Sequence, residues 1–172
     1  MANIVLGTQT LASESNNTVT WGAGAPAGMV LNVVQNTDTG GTNGTSSFFV
    51  TYCHCDITVK AGTKIYILGT PQLYFDTSGA MIEAKLTYKT SSGRSGTAGD
   101  YTDILTFPRF FGGSASGLET WTTYPLQYLW THGQSAGTVI NVAVQVKASS
   151  GNLHNNNGTG AISIMTLQEI AG

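Results

Sequence analysis

Val139-Ile140-Asn141-Val142-Ala143-Val144-Gln145-Val146-Lys147 is the cleanest period-two segment of the chain. Ile140, Val142, Val144 and Val146 fall on one side of an extended chain, and Asn141, Ala143, Gln145 and Lys147 on the other. A period of two is the signature of a β-strand with one face against a core. Residues 161–170 follow the same logic, with Ile162 and Ile164 set off by Ser163, and Met165 and Leu167 making the second face apolar. Working outward, further Val-, Ile-, Thr- and Tyr-rich runs lie at 30–35, 48–59, 64–68, 72–75, 81–89, 103–107 and 125–130. Turn-forming clusters divide them: Asp38-Thr39-Gly40-Gly41, Ser78-Gly79, Ser91-Ser92-Gly93, Gly112-Gly113 and Asn155-Asn156-Asn157-Gly158. No segment longer than about ten residues carries a capped 3.6-residue apolar period. Eight or nine short strands without helices between them predict an all-β fold, an antiparallel jelly-roll-like β-sandwich.

Composition narrows the function. Of 172 residues only 9% are charged, the formal net charge is −2, and 41% are hydrophobic. Gly 22, Thr 25, Ser 14 and Asn 11 supply a neutral polar surface instead. Seven basic residues cannot make the cationic footprint of a nucleic-acid binder. No run of 18 apolar residues offers a membrane span. The opening Met1-Ala2-Asn3-Ile4-Val5-Leu6-Gly7 lacks the basic and long apolar regions of a secretory signal, so it reads as a chain made in a cytosol and kept there or released by lysis. Residues 1–27, rich in Ser, Asn, Gly and Ala, read as an N-terminal arm and linker with one short strand at Thr18-Val19-Thr20-Trp21. Residues 28–172 form the sandwich.

Catalytic and metal signals are thin. On a strand, Cys53 and Cys55 share one face while His54 lies on the other, so the three cannot hold one ion. Two small residues packed in a core is the plainer reading. His54, His132 and His154 are the available imidazole bases, but no G-x-S-x-G elbow occurs; Gly112-Gly113-Ser114-Ala115-Ser116 lacks its last glycine. Asp100 and Asp103 fall short of a calcium loop, and residues 22–27 resemble a phosphate loop with no helix to follow. The expectation is a non-enzyme with no catalytic residues, no metal and no cofactor.

Aromatic residues are the better clue. Trp121, Tyr124, Tyr128 and Trp130 fall within ten residues. Indole and phenol faces bind sugar rings while neighbouring amides and hydroxyls meet the sugar hydroxyls. Trp121 and Tyr124 are therefore candidates for glycan or receptor contact, joined by Arg94 and Tyr101 from the 90–101 loop. Tyr128 and Leu129 sit in a strand pattern and read as core.

Several stretches together resemble a module of tailed-phage virion surface proteins, of the tail-fibre or receptor-binding type. They are Gly28-Met29-Val30-Leu31-Asn32-Val33-Val34-Gln35, Lys64-Ile65-Tyr66-Ile67-Leu68, Phe110-Phe111-Gly112-Gly113-Ser114, Gln134-Ser135-Ala136-Gly137-Thr138 and Ser149-Ser150-Gly151. The last is Ala161-Ile162-Ser163-Ile164-Met165-Thr166-Leu167-Gln168-Glu169-Ile170-Ala171-Gly172. The resemblance covers residues 28–172. It implies a homotrimeric β-sandwich on a virion surface, assembled in the host cytoplasm. Residues 1–27 would join tail or capsid proteins, and the loops at 36–47, 90–101, 112–124 and 149–160 would face host glycan. A short tail-fibre subunit is the leading expectation. A capsid decoration (cement) protein is the alternative, since only a short arm precedes the sandwich, and a glycan-active enzyme ranks last.

Overall fold

The computed structural model describes residues 2–6, 9–15, 18–21, 25–39, 42–45, 48–75, 81–108, 110–111, 122–155 and 162–172. The first strands are β1 (Ala2–Leu6), β2 (Gln9–Ser15) and β3 (Thr18–Trp21). They are followed by β4 (Val30–Asp38), β5 (Thr42–Thr45), β6 (Val50–Thr58), β7 (Lys64–Thr70), β8 (Gln72–Phe75) and β9 (Met81–Lys89). After a 3-10 turn at Ala98–Asp100 come β10 (Thr102–Thr106), β11 (Phe110–Phe111), β12 (Thr122–Thr123) and β13 (Leu126–Thr131). The chain finishes with β14 (Val139–Ala148), β15 (Asn152–Asn155) and β16 (Ser163–Ile170).

One layer of the sandwich is ordered β13-β7-β16-β4, and the other β10-β9-β14-β6, with β11 also paired to β9. All pairings are antiparallel. A further sheet, β12-β8-β15-β5, prolongs the first layer strand for strand. Proline interrupts two of the four lines of strands. Pro71 separates β7 from β8 and Pro125 precedes β13, and neither has an N–H for the ladder. Side chains bridge the gap: Gln72 N–H donates to Ser163 Oγ (2.9 Å), and Ile162 N–H donates to Gln72 Oε1 (2.7 Å).

From β4 onward the chain changes layer between β5 and β6, β6 and β7, β8 and β9, β11 and β12, β13 and β14, and β14 and β15. Eight principal strands wound this way make two Greek keys, the jelly roll expected from the alternating runs. Ile65, Ile67, Leu86, Ile140, Val142, Val144, Met165 and Leu167 fill the space between layers, each fully buried. Cys53 and Cys55 join that core as small apolar residues.

Three local readings change. The N-terminal segment, expected as an extended arm with one strand, contains a three-stranded antiparallel sheet ordered β1-β2-β3. Its strands follow one another at two-residue intervals, the spacing of hairpins. Strand β14 is buried on both faces, because Asn141, Ala143 and Gln145 are covered as completely as the valines. Tyr128 and Leu129, expected in the core, are 38% and 47% exposed. Strand β13 is the last in its layer, so its side chains are covered from one flank only.

Candidate functional site

The polar face of β14 is covered by the loop that joins β9 to β10, and hydrogen bonds to that face hold the loop down. Ser95 N–H donates to the Tyr101 hydroxyl (3.1 Å), and that hydroxyl donates to Asn141 Oδ1 (2.7 Å). Asn141 Nδ2 then donates to Asp56 Oδ1 (2.5 Å) and to His54 Nδ1 (3.2 Å). Asp56 closes the circuit by accepting Gly93 N–H on both oxygens, at 3.1 and 2.9 Å. Gly93 sits at φ +76°, a left-handed conformation that favours glycine and turns its N–H toward the carboxylate.

Arg94 ties the same loop to the sheet edge. Its Nη2 donates to Thr51 O (2.6 Å), and Nη1 lies 3.4 Å from Asp38 Oδ2. Thr51 Oγ1 donates to Ser95 O (3.4 Å), and Ser95 Oγ donates to Asp100. Burial pushes the Tyr101 hydroxyl pKa up and the His54 imidazole pKa down. Beside this anchored loop lies a cleft of about 350 Å³, lined by Tyr88, Lys89, Thr90, Ser91, Asp100 and Thr102. It offers hydroxyls, an ammonium and a carboxylate. Lys89 Nζ also reaches Ser92 O (3.4 Å) and lies 5.8 Å from the Tyr101 ring centroid.

Of the four contact candidates, Arg94 and Tyr101 therefore come together, and their hydrogen bonds anchor the loop. Tyr124 belongs elsewhere, packed against the core with its N–H on Pro71 O (3.1 Å). Trp121 lies outside the described residues. Asn141, Asp56 and Gly93 complete the site, and no motif marks them in the sequence. The available signal was an Asn at the centre of a Val-rich strand, which needs partners if its face is buried.

A second buried cluster gathers around His132. Gln134 N–H donates to His132 Nδ1 (2.9 Å), so the ring proton resides on Nε2 and points to Thr63 Oγ1 (3.0 Å). The Thr63 hydroxyl faces Glu169 Oε1 (2.9 Å) and Lys60 O (2.8 Å), and Lys60 N–H donates to the same Glu169 oxygen (2.5 Å). This grouping is a clasp and not a catalytic triad. A nucleophilic hydroxyl must give its proton to the imidazole, whereas here the imidazole donates to a buried hydroxyl. Burial lowers the His132 pKa, and Glu169 opposes that shift. Among the described residues, no three His, Cys, Asp or Glu side chains form a metal-holding group.

No family model matches the chain, and no curated protein matches its sequence. Among solved structures, the chain is similar to the VP2 subviral particle of infectious bursal disease virus at 14% identity and TM-score 0.48, covering 99% of this chain and 38% of that one. The T13 viral particle of the same virus gives 12% identity and TM-score 0.44, covering 98% and 40%. Its T=1 particles give 13% and 0.43, covering 99% and 41%. The chain thus spans about two fifths of the length of these neighbours. The strand order, and not these scores, establishes the jelly roll here.

Proposed function

We propose that this chain is a non-enzymatic structural protein of a tailed-phage virion surface, a homotrimeric short tail-fibre or receptor-binding subunit that meets host-surface glycan. The observation that carries this reading is the polar cleft beside an anchored loop. Thr90, Ser91 and Thr102 present hydroxyls, and Lys89 and Asp100 one charge of each sign, on a protein of formal net charge −2. Such groups suit sugar hydroxyls, and a loop already held in place loses little freedom on binding. The segment resemblance over residues 28–172 supports the phage setting. The β1-β2-β3 sheet, which pairs only within itself among the described residues, supports a separate attachment role for residues 1–27.

Two measurements test this together. Recombinant protein should block phage adsorption to host cells, and a Lys89→Ala/Asp100→Ala variant with an unchanged melting temperature should not. Gold-labelled antibody should mark tail tips. Uniform labelling of heads would replace the fibre reading with capsid decoration, and release of sugar from host polysaccharide would overturn the non-enzymatic reading.

A further inference from the structure

Among the described residues, four of the eight principal strands lie at an edge, β13 and β4 in one layer and β10 and β6 in the other. An open edge displays unpaired N–H and C=O groups on every second residue, and proteins guard such edges with charge, proline or bulges. Three of these edges are guarded. Strand β4 carries Asp38, and its register with β16 shifts at Glu169/Ile170. Strand β6 carries Asp56 and faces a shift at Val144/Gln145. Strand β10 carries Asp103 with a shift between Asp103 and Leu105.

Strand β13 has none of these devices. Leu126-Gln127-Tyr128-Leu129-Trp130-Thr131 contains no charge and no proline, and its register with β7 runs unbroken from Leu126↔Gly69 to Thr131↔Lys64. Tyr128 and Leu129, on opposite faces of the strand, are both exposed. The ladder edge is therefore flanked by apolar surface above and below.

We infer that β13 is a contact strand, at which two copies of this chain pair antiparallel about a two-fold axis. The six-residue sequence fits itself. Centred on Leu129, the pairing sets Leu129 against Leu129, Tyr128 against Trp130 and Gln127 against Thr131. Apolar side chains meet apolar ones and polar meet polar, the pattern that stabilises neighbouring strands. Self-pairing at β10 would place two like carboxylates on a five-residue ladder, and β4 and β6 are each interrupted by a register shift. A two-fold contact is isologous, so one patch serves both copies. It adds to the trimer proposed above and does not depend on it, because joining trimers into larger assemblies requires a second kind of contact.

Sedimentation equilibrium of the full chain tests this, with Leu129→Lys and Leu129→Cys variants. The expected wild-type mass is an even multiple of the protomer, and Leu129→Lys should halve it, while Val33→Lys on the guarded β4 edge should leave it unchanged. Leu129→Cys should form a disulfide-linked dimer on mild oxidation, since residues facing each other across a two-fold lie within disulfide reach; both native cysteines are buried. A trimer that Leu129→Lys leaves intact, with no Leu129→Cys dimer, overturns the inference and leaves the trimer reading standing. A dimer sensitive to Leu129→Lys does the reverse, and a hexamer halved to a trimer supports both. A monomer overturns both.

Discussion

Gly69 of β7 faces Val144 of β14 across the sandwich so closely that a Cβ placed on Gly69 would stand 2.5 Å from Val144 Cγ2. The two layers meet here with room for one side chain only. Gly69→Ala is therefore an overpacking change, which costs about 1–3 kcal/mol. Chemical denaturation should show that loss. Combining it with Val144→Ala should cost less than the two changes separately, because the second removes the atom that the first strikes. Strict additivity would mean that the layers adjust freely at this point.

Tyr101→Phe removes one hydroxyl and leaves both Ser95 N–H and Asn141 Oδ1 without their partner. Stranding buried polar groups costs about 1–3 kcal/mol. The effect should concentrate in the loop, so hydrogen exchange should quicken across residues 90–101 while the β7 and β16 amides keep their protection. Uniform acceleration through both layers would show that the network supports the whole sandwich.

Acid should weaken the fold through its imidazoles. His132 and His54 each accept a hydrogen bond at Nδ1, from Gln134 N–H and from Asn141 Nδ2, and burial holds both below the ordinary 6.5. The unfolded chain takes up protons near pH 6.5 that the folded chain refuses. The stabilisation is thus fully present above pH 6.5 and falls as pH drops below it. Melting temperature should be flat from about pH 7 to 8 and decline toward pH 5. His132→Asn, which keeps an acceptor for Gln134 N–H and cannot titrate, should lessen that slope; an unchanged slope would assign acid sensitivity to other groups.

The cysteines should be silent in the native protein. Burial pushes the Cys55 thiol up to about 11 and Cys53 higher still, so the nucleophilic thiolate is scarce and shielded. A thiol reagent at pH 8 should label neither until denaturant is added, when both should react together. Rapid native labelling would show that strand β6 opens locally.

Much of the architecture was legible along the chain. Strands β4, β6, β7, β8, β9, β10, β13, β14 and β16 all fall on runs of β-branched and aromatic residues separated by Gly, Ser and Asn. Strands β5 and β15 escaped because Thr42-Asn43-Gly44-Thr45 and Asn152-Leu153-His154-Asn155 read as loops. They are strands because β8 and one another supply ladder partners. The site was less legible. Arg94 and Tyr101 read as glycan-contact candidates, and the structure adds their bonds to Thr51 and Asn141; a hydroxyl or guanidinium reads the same in sequence whether it meets a ligand or its own sheet.

By itself the sequence determined the strand class, the neutral surface and the inner face of β14, since alternation and composition are local properties that any extended chain expresses. Only the tertiary structure decided that the outer face of β14 is buried as well, because the 90–101 loop that covers it lies some forty residues away in the chain. It also decided which hydrophobics stay outside. Tyr128 and Leu129 have the pattern of core residues, but β13 lies at a layer's edge, and being at an edge is a relation between strands that no single strand encodes.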